Sequence, residues 1–224
     1  MLTVESLRFY PSDFELREGG LIRAAWMSPR GIAQTVQHGS DAIDWPFDLT
    51  QPGEAREFYR RQCEANGGAM IAVEVIEVAG FETLGGVFKY RSPDPNSLGI
   101  YYVAILWLPF RDCWFQVNIE AVERGTTGIR EAAVMMLDRD AWPTPEGEPE
   151  LIPPGVDYTT FVRRKPIRSI PSDDPKYDEK FPDHPLSLVR RRMIEIIATA
   201  EFDARVARDL RPFRLKRKPW WRRG

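Results

Sequence analysis

The stretch AMIAVEVIEVAGFETLGGVFKYR, residues 69–91, opens a block running to Asp138 whose reading decides the fold. From Met70 to Val78, apolar residues alternate around Glu74 and Glu77 and β-branched side chains dominate, which predicts a strand. Ala79-Gly80 makes the turn, and Thr83 to Arg91 is the returning strand, where Gly85-Gly86 marks a bulge or a close backbone approach. After the turn cluster Ser92 to Ser97, residues 99–108, GIYYVAILWL, are apolar on both faces and read as a central strand. Pro109 to Asp112 turns the chain, and residues 113–122, CWFQVNIEAV, alternate once more. Four strands in succession with short breaks make an antiparallel meander.

Outward from this block the signals change. Thr126 or Thr127 caps a helix through Met136, with Ile129, Ala132, Ala133, Met136 and Leu137 as its buried stripe. On the other side, Thr50 or Gln51 starts a helix with Pro52 and Glu54 in its first turn, and Asn66-Gly67-Gly68 stops it. Val4 to Phe14 and Leu21 to Met27 read as a leading hairpin, and Ser28 to Thr50 as a loop anchored by Trp45 and Phe47. Residues 139–185 carry ten of the nineteen prolines and almost no periodicity, apart from a strand at Tyr158 to Arg163; an arm of this length wraps the surface, carries function or is disordered. Pro185 and Ser187 open a long helix to about Leu210, with Leu188, Met193, Ile196, Ile197, Ala200 and Ala204 on its apolar face. The expected organisation is a domain over residues 1–138, a proline-rich arm over 139–185, a helix over 186–210 and a basic aromatic tail over 211–224.

Composition narrows the function classes. With 43% hydrophobic and 29% charged residues, the chain is of globular type. The net charge of −2 hides an asymmetry, because from Arg211 onward seven cations stand without an acid. Removing them leaves 24 basic against 33 acidic residues, a body of about −9, which argues against a general nucleic-acid binder. Two cysteines, Cys63 and Cys113, are too few for a disulfide scaffold and read as thiols. The first ten residues lack the pattern of a secretory signal, and no stretch reaches the ~20 apolar residues of a membrane span, so a cytoplasmic location is expected.

Each chemistry-bearing cluster carries a plain reading beside a sharper one. Gly125-Thr126-Thr127-Gly128-Ile129-Arg130 places glycines, hydroxyls and a cation at a helix start, which suits an anion but equally suits capping. His38 and His184 have no metal-site spacing, and His184, before Pro185, suits a helix start. The acid run Asp173 to Lys180 lacks the glycine turn and closing glutamate of a calcium loop and reads as a solvated loop. Arg111 and Asp112, in the turn of the meander, and Arg130 and Glu131, just inside the next helix, are candidates for one charged partner-binding edge. Trp220 and Trp221, set among the cations of the tail, are candidates for contact with a partner. No catalytic, cofactor-binding or metal-binding residue is assigned.

The order of helix, meander and closing helix resembles the PsbP-like α/β sandwich family, most closely over Phe88 to Val134. Leu108-Pro109-Phe110-Arg111-Asp112 and Gly125 to Glu131 carry the likeness, which covers under half of the chain. The resemblance implies an α+β fold, an antiparallel sheet packed against helices, and action by binding another protein. Small bacterial versions are similar to immunity or accessory proteins of toxin systems. The expected function is therefore a non-enzymatic protein-binding module, an immunity or adaptor protein whose partner is a toxin, an effector or an assembly subunit. The alternatives are a structural subunit of a secretion or phage-like assembly, and a hydrolase in which Cys113, His38 or His184 and the acids converge only in three dimensions.

Overall fold

A computed structural model describes residues 2–10, 13–143 and 150–215. Its strands are β1 (Leu7–Arg8), β2 (Glu15–Glu18), β3 (Arg23–Met27), β4 (Ala33–Gly39), β5 (Ala69–Val78), β6 (Phe81–Arg91), β7 (Ile100–Pro109), β8 (Trp114–Val122) and β9 (Glu201–Phe202). Its helices are α1 (Pro52–Ala65), α2 (Ile129–Leu137), α3 (Tyr158–Arg164), α4 (Pro185–Thr199) and α5 (Ala204–Asp209). The expected meander is present as β5 to β8, and it continues through β4, β3 and β2 into one seven-stranded sheet of order β2-β3-β4-β8-β7-β6-β5. Every neighbouring pair in that sheet is antiparallel. The fold is α+β, with the sheet packed against helices.

Strand alternation sorts the side chains of the sheet into two cores. On one face the β7–β8 pairs Tyr102↔Ala121, Ala104↔Ile119, Leu106↔Val117 and Leu108↔Phe115 pack against Leu186, Val189 and Ile196 of α4. On the other, Val73, Leu84, Phe88 and Trp107 meet Ala55, Tyr59 and Cys63 of α1, closed by Trp45, Phe47 and Leu49. The two-residue turn between β5 and β6 has both Ala79 (φ 53°) and Gly80 (φ 81°) in the left-handed region, which matches the twist of the hairpin. Gly85 and Gly86 pair regularly, so they mark close approach and no bulge: a Cβ on Gly85 would lie 2.6 Å from Met193 Cε, and one on Gly86 2.6 Å from the Phe88 ring. The irregularity of β5 falls instead between Met70 and Ala72.

Four expectations are corrected. The stretch read as a loop contains β4, an inner strand; its alternation is masked because buried Gln34 takes an inward position, where Arg192 Nε donates to its side chain at 2.8 Å. Tyr158 to Arg163 is helical, since Asp157 caps it by accepting from Thr160 N–H at 2.9 Å, and this local cap outweighs the β-branched residues. The long helix stops at Thr199: β9 pairs with β1, and Asp203 caps a separate α5. The leading hairpin is shorter than expected, formed by β2 and β3, while Val4–Ser6 is a 3-10 turn.

The proline-rich arm is held by named contacts over its described part. Arg163 of α3 donates to the carbonyls of Ser92, Asp94 and Ser97, and Arg91 reaches back to Val162 and Lys165 carbonyls. Residues 169–184 then run as a strap beside α4, through 3-10 turns at Pro171–Asp173 and Pro175–Tyr177.

Candidate functional site

The ionisable residues gather where α2, the strap and α4 meet over one sheet face. Arg130, in the first turn of α2, is 1% exposed. Its guanidinium donates to Ser172 O (2.7 Å), Ser187 Oγ (2.7 Å), Asp178 Oδ1 (2.8 Å) and Asp174 O (3.2 Å). Arg190 of α4 joins the same carboxylate, with its Nη1 3.1 Å from Asp178 Oδ1, and also donates to Asp173 O. One layer deeper, Lys89 of β6 donates to Asp173 Oδ2 at 2.6 Å, and Ile170 N–H donates to that oxygen at 2.8 Å. A planar donor fork with four acceptors suits Arg130, because a buried cation must be both paired and hydrogen-bonded.

A second cluster joins Glu123, Glu131 and His184, one ligand atom of each lying within 4.8 Å of the others. His184 caps α4, its Nδ1 accepting from Leu186 N–H at 3.2 Å, so the ring proton sits on Nε2 and points to Glu123 Oε1, 3.2 Å away. Burial raises the Glu123 pKa, but the bonds from His184 and from Ile100 N–H outweigh it and hold the carboxyl below its ordinary value. Glu131 Oε2 is buried without a partner. Two carboxylates and an imidazole are a usable donor set for a divalent metal, yet a metal on Nε2 would move the ring proton to Nδ1, against Leu186 N–H. The geometry therefore fits a hydrogen-bonded cap better than a metal centre.

The candidate residues do not form one edge. Arg111 and Asp112 are exposed in the β7–β8 turn, where Arg111 N–H donates to Arg211 O and Phe110 bridges Pro212. Arg130 and Glu131 lie beyond the far end of β8, a nine-residue strand spanning roughly 30 Å. Arg130 is turned inward, because its charge is satisfied only within the strap, and so offers no guanidinium to a partner. Trp220 and Trp221 lie outside the described residues. Within the acid run, Asp173 is buried and Asp178 half-buried, in place of the solvated loop expected.

For the converging-hydrolase expectation, His184 does reach a carboxylate. Among the described residues, however, no thiol or hydroxyl is hydrogen-bonded to its ring. His38 Nδ1 lies 3.0 Å from the Trp114 carbonyl, and its ring stacks on Phe115. Burial pushes the Cys113 thiol up to about 11 and raises that of Cys63. Lys89, Glu123, Ser187 and Arg190 entered no sequence-based candidate set; a lysine following the apolar run Leu84 to Phe88 was the one signal available for Lys89.

Around the site, α2 is inverted. It buries Arg130 and Val134, while Ile129, Met135, Met136 and Leu137 are 47–88% exposed. The stripe expected inside therefore faces outward at Ile129, Met136 and Leu137.

No family model and no curated protein matches the chain. It is similar to part of a protein from Bacteroides thetaiotaomicron VPI-5482, known from a crystal structure at 1.50 Å; the match is 10% identical, covers 55% of this chain and 41% of that one, and has a TM-score of 0.33. The chain thus spans less than half the length of that protein. No helix among the described residues is long and apolar enough to cross a membrane.

Proposed function

We propose that this chain is a non-enzymatic protein-binding module on a PsbP-like α/β sandwich, an immunity or adaptor protein of a bacterial toxin or secretion system, and that it binds through the outer face of α2. The observation that carries this reading is the inversion of α2. Four large apolar side chains stand together in solvent on a helix whose two charged residues, Arg130 and Glu131, are buried and half-buried, and a contiguous exposed apolar patch marks interaction surfaces more often than plain solvent contact. Arg130 ties the back of the helix to the strap and α4, so the patch is presented on a fixed element. Arg124 before the helix and Arg139 after it are exposed and in no ion pair among the described residues. The matching partner is a protein with an apolar cleft rimmed by carboxylates.

Affinity purification of the tagged chain from its native host is expected to recover one protein in stoichiometric amount, and the complex is expected to re-form from the two purified chains. The variant carrying Met136→Asp and Leu137→Asp should lose the complex while keeping the wild-type circular dichroism and melting profile. Equal retention by wild type and variant, or turnover of a small molecule by the purified chain alone, would overturn the proposal.

A further inference from the structure

The seven-stranded sheet ends in two edge strands, β2 and β5, of opposite character. β2 is four residues long, exposed throughout and charged at Glu15, Arg17 and Glu18, and its pairing with β3 is broken by a bulge. Shortness, charge and a bulge are the usual protections of an edge against pairing. β5 runs for ten residues, and from Ala72 to Val78 it is regular and free of proline and glycine.

The two-residue turn makes Val78 and Phe81 the closing hydrogen-bonded pair of the hairpin, so the residues of β5 that bond inward alternate back from there as Val78, Ile76, Glu74 and Ala72. The backbone N–H and C=O groups of Val73, Val75 and Glu77 therefore point outward. Among the described residues these groups meet one partner, Arg56 of α1, whose Nε donates to Val73 O at 2.9 Å. Val75 is half-buried and Glu77 exposed, which leaves this edge open to solvent. Two charges at the edge are also unanswered. Glu77 stands directly opposite Glu82, a like-charge pair that weakens the hairpin, and neither acid has an ion-pair partner among the described residues. Arg56, exposed, has none there either.

We propose that β5 is a self-pairing edge, through which two copies of this chain join antiparallel about a two-fold axis at Val75 and continue one sheet into the other. In that register Val75 faces Val75, and Val73 faces the second copy's Glu77. Val73, Val75 and Glu77 share one strand face, and Val73 and Val75 pack there into the cluster built on α1, so the incoming acid arrives on the side where Arg56 stands. Paired residues lie about 5.5 Å apart between Cα atoms, within reach of a guanidinium already placed on Val73 O. Symmetry forms this Arg56–Glu77 contact twice, and each contact relieves a Glu77–Glu82 repulsion. Glu74 falls opposite Ile76, so no acid meets an acid across the axis. The inference does not depend on the role of α2, since β5 and α1 carry it.

The test is analytical ultracentrifugation of the full chain over a series of concentrations, where the wild type is expected to show a monomer–dimer equilibrium. Glu77→Arg brings guanidinium groups together at both contacts and should weaken the dimer by roughly tenfold or more, while its monomer melts no lower than wild type because the repulsion with Glu82 is gone. Arg56→Glu should weaken the dimer to a similar extent. Mixed in equal amounts, these two variants should form a heterodimer of about wild-type affinity, because both crossed contacts are again opposite in charge. Val75→Pro removes an N–H that lies outside the ladder of the monomer, and should abolish dimerisation. A wild-type chain that is monomeric at every concentration would overturn the proposal, as would single variants that dimerise like wild type or a mixture that fails to associate. The mixing experiment decides the matter even if Val75→Pro fails to fold.

Discussion

Replacing Lys89 by Met tests whether the strap is held by its buried ion pair. Lys89 Nζ lies 2.6 Å from Asp173 Oδ2, and each side chain is 4% exposed. Met keeps the stem and removes the charge, leaving the Asp173 carboxyl in the core without its counter-ion, with Oδ1 already unpartnered and Oδ2 holding Ile170 N–H and the Ser169 hydroxyl. Removing one partner of a buried pair destabilises by about 3–5 kcal/mol, because the remaining charge has lost its counter-ion. With a urea slope of roughly 3 kcal/mol/M for a chain of this size, the midpoint should fall by about 1–1.7 M. Adding Asp173→Asn removes the second charge while keeping an acceptor for Ile170 N–H, and should recover at least about half of the loss. Amide exchange should show residues 169–178 opening first in the single variant. A single variant within about 1 kcal/mol of wild type, or a double variant no better than the single, would refute the assignment of the strap to this pair.

Three further outcomes follow from local geometry. Ala79 is a non-glycine residue at φ 53°, so Ala79→Gly should stabilise the β5–β6 hairpin by roughly 0.5–1 kcal/mol in chemical unfolding, and destabilisation would contradict the turn assignment. Glu123 has a folded pKa below its unfolded one, so the stability it contributes is complete at neutral pH and is lost as pH falls through the folded value, below the ordinary glutamate range of about 4.3. Urea midpoints between pH 7 and pH 3 should therefore fall less steeply in Glu123→Gln than in wild type, and parallel curves would remove the carboxylate from the account. Cys113, with its thiol pushed up to about 11, should hold a thiolate fraction at pH 8 roughly two-hundredfold below that of a free thiol, so iodoacetamide should label it at the free-thiol rate only after unfolding.

The middle of the fold was legible because β5 to β8 obey simple alternation, and alternation is what a half-buried strand requires. Where a polar side chain takes an inward position, that rule fails: Gln34 conceals β4 because its partner, Arg192, lies 158 residues away. Local capping misled in the same way. Asp157 and Asp203 each bond a backbone N–H two or three residues on, and these single contacts reset α3 and α5 against the surrounding propensities. For the site, Arg130, Glu131, His184 and the acid run each stood out in the sequence. Their convergence did not, since Lys89 to Asp173 and Arg130 to Asp178 are pairings across 84 and 48 residues that no periodicity encodes.

The inversion of α2 is where local pattern and tertiary demand conflict most directly. Rotating the helix to bury Met136 and Leu137 would gain about 1.5–3 kcal/mol for each side chain. The same rotation would withdraw Arg130 from four hydrogen bonds, at about 1.5–3 kcal/mol for the one to a carboxylate and about 1 kcal/mol for each of the others. It would also strand Ser172 O, and a buried carbonyl left unmet costs about 1–3 kcal/mol. The polar side wins by a few kcal/mol, so the observed orientation needs nothing from the apolar stripe. Met136, at 88% exposure, therefore does little for folding, and Met136→Asp should alter stability by no more than about 0.5 kcal/mol. Large apolar side chains that the fold does not require, fixed on a helix that the fold does require, are the support for the contact surface proposed on α2.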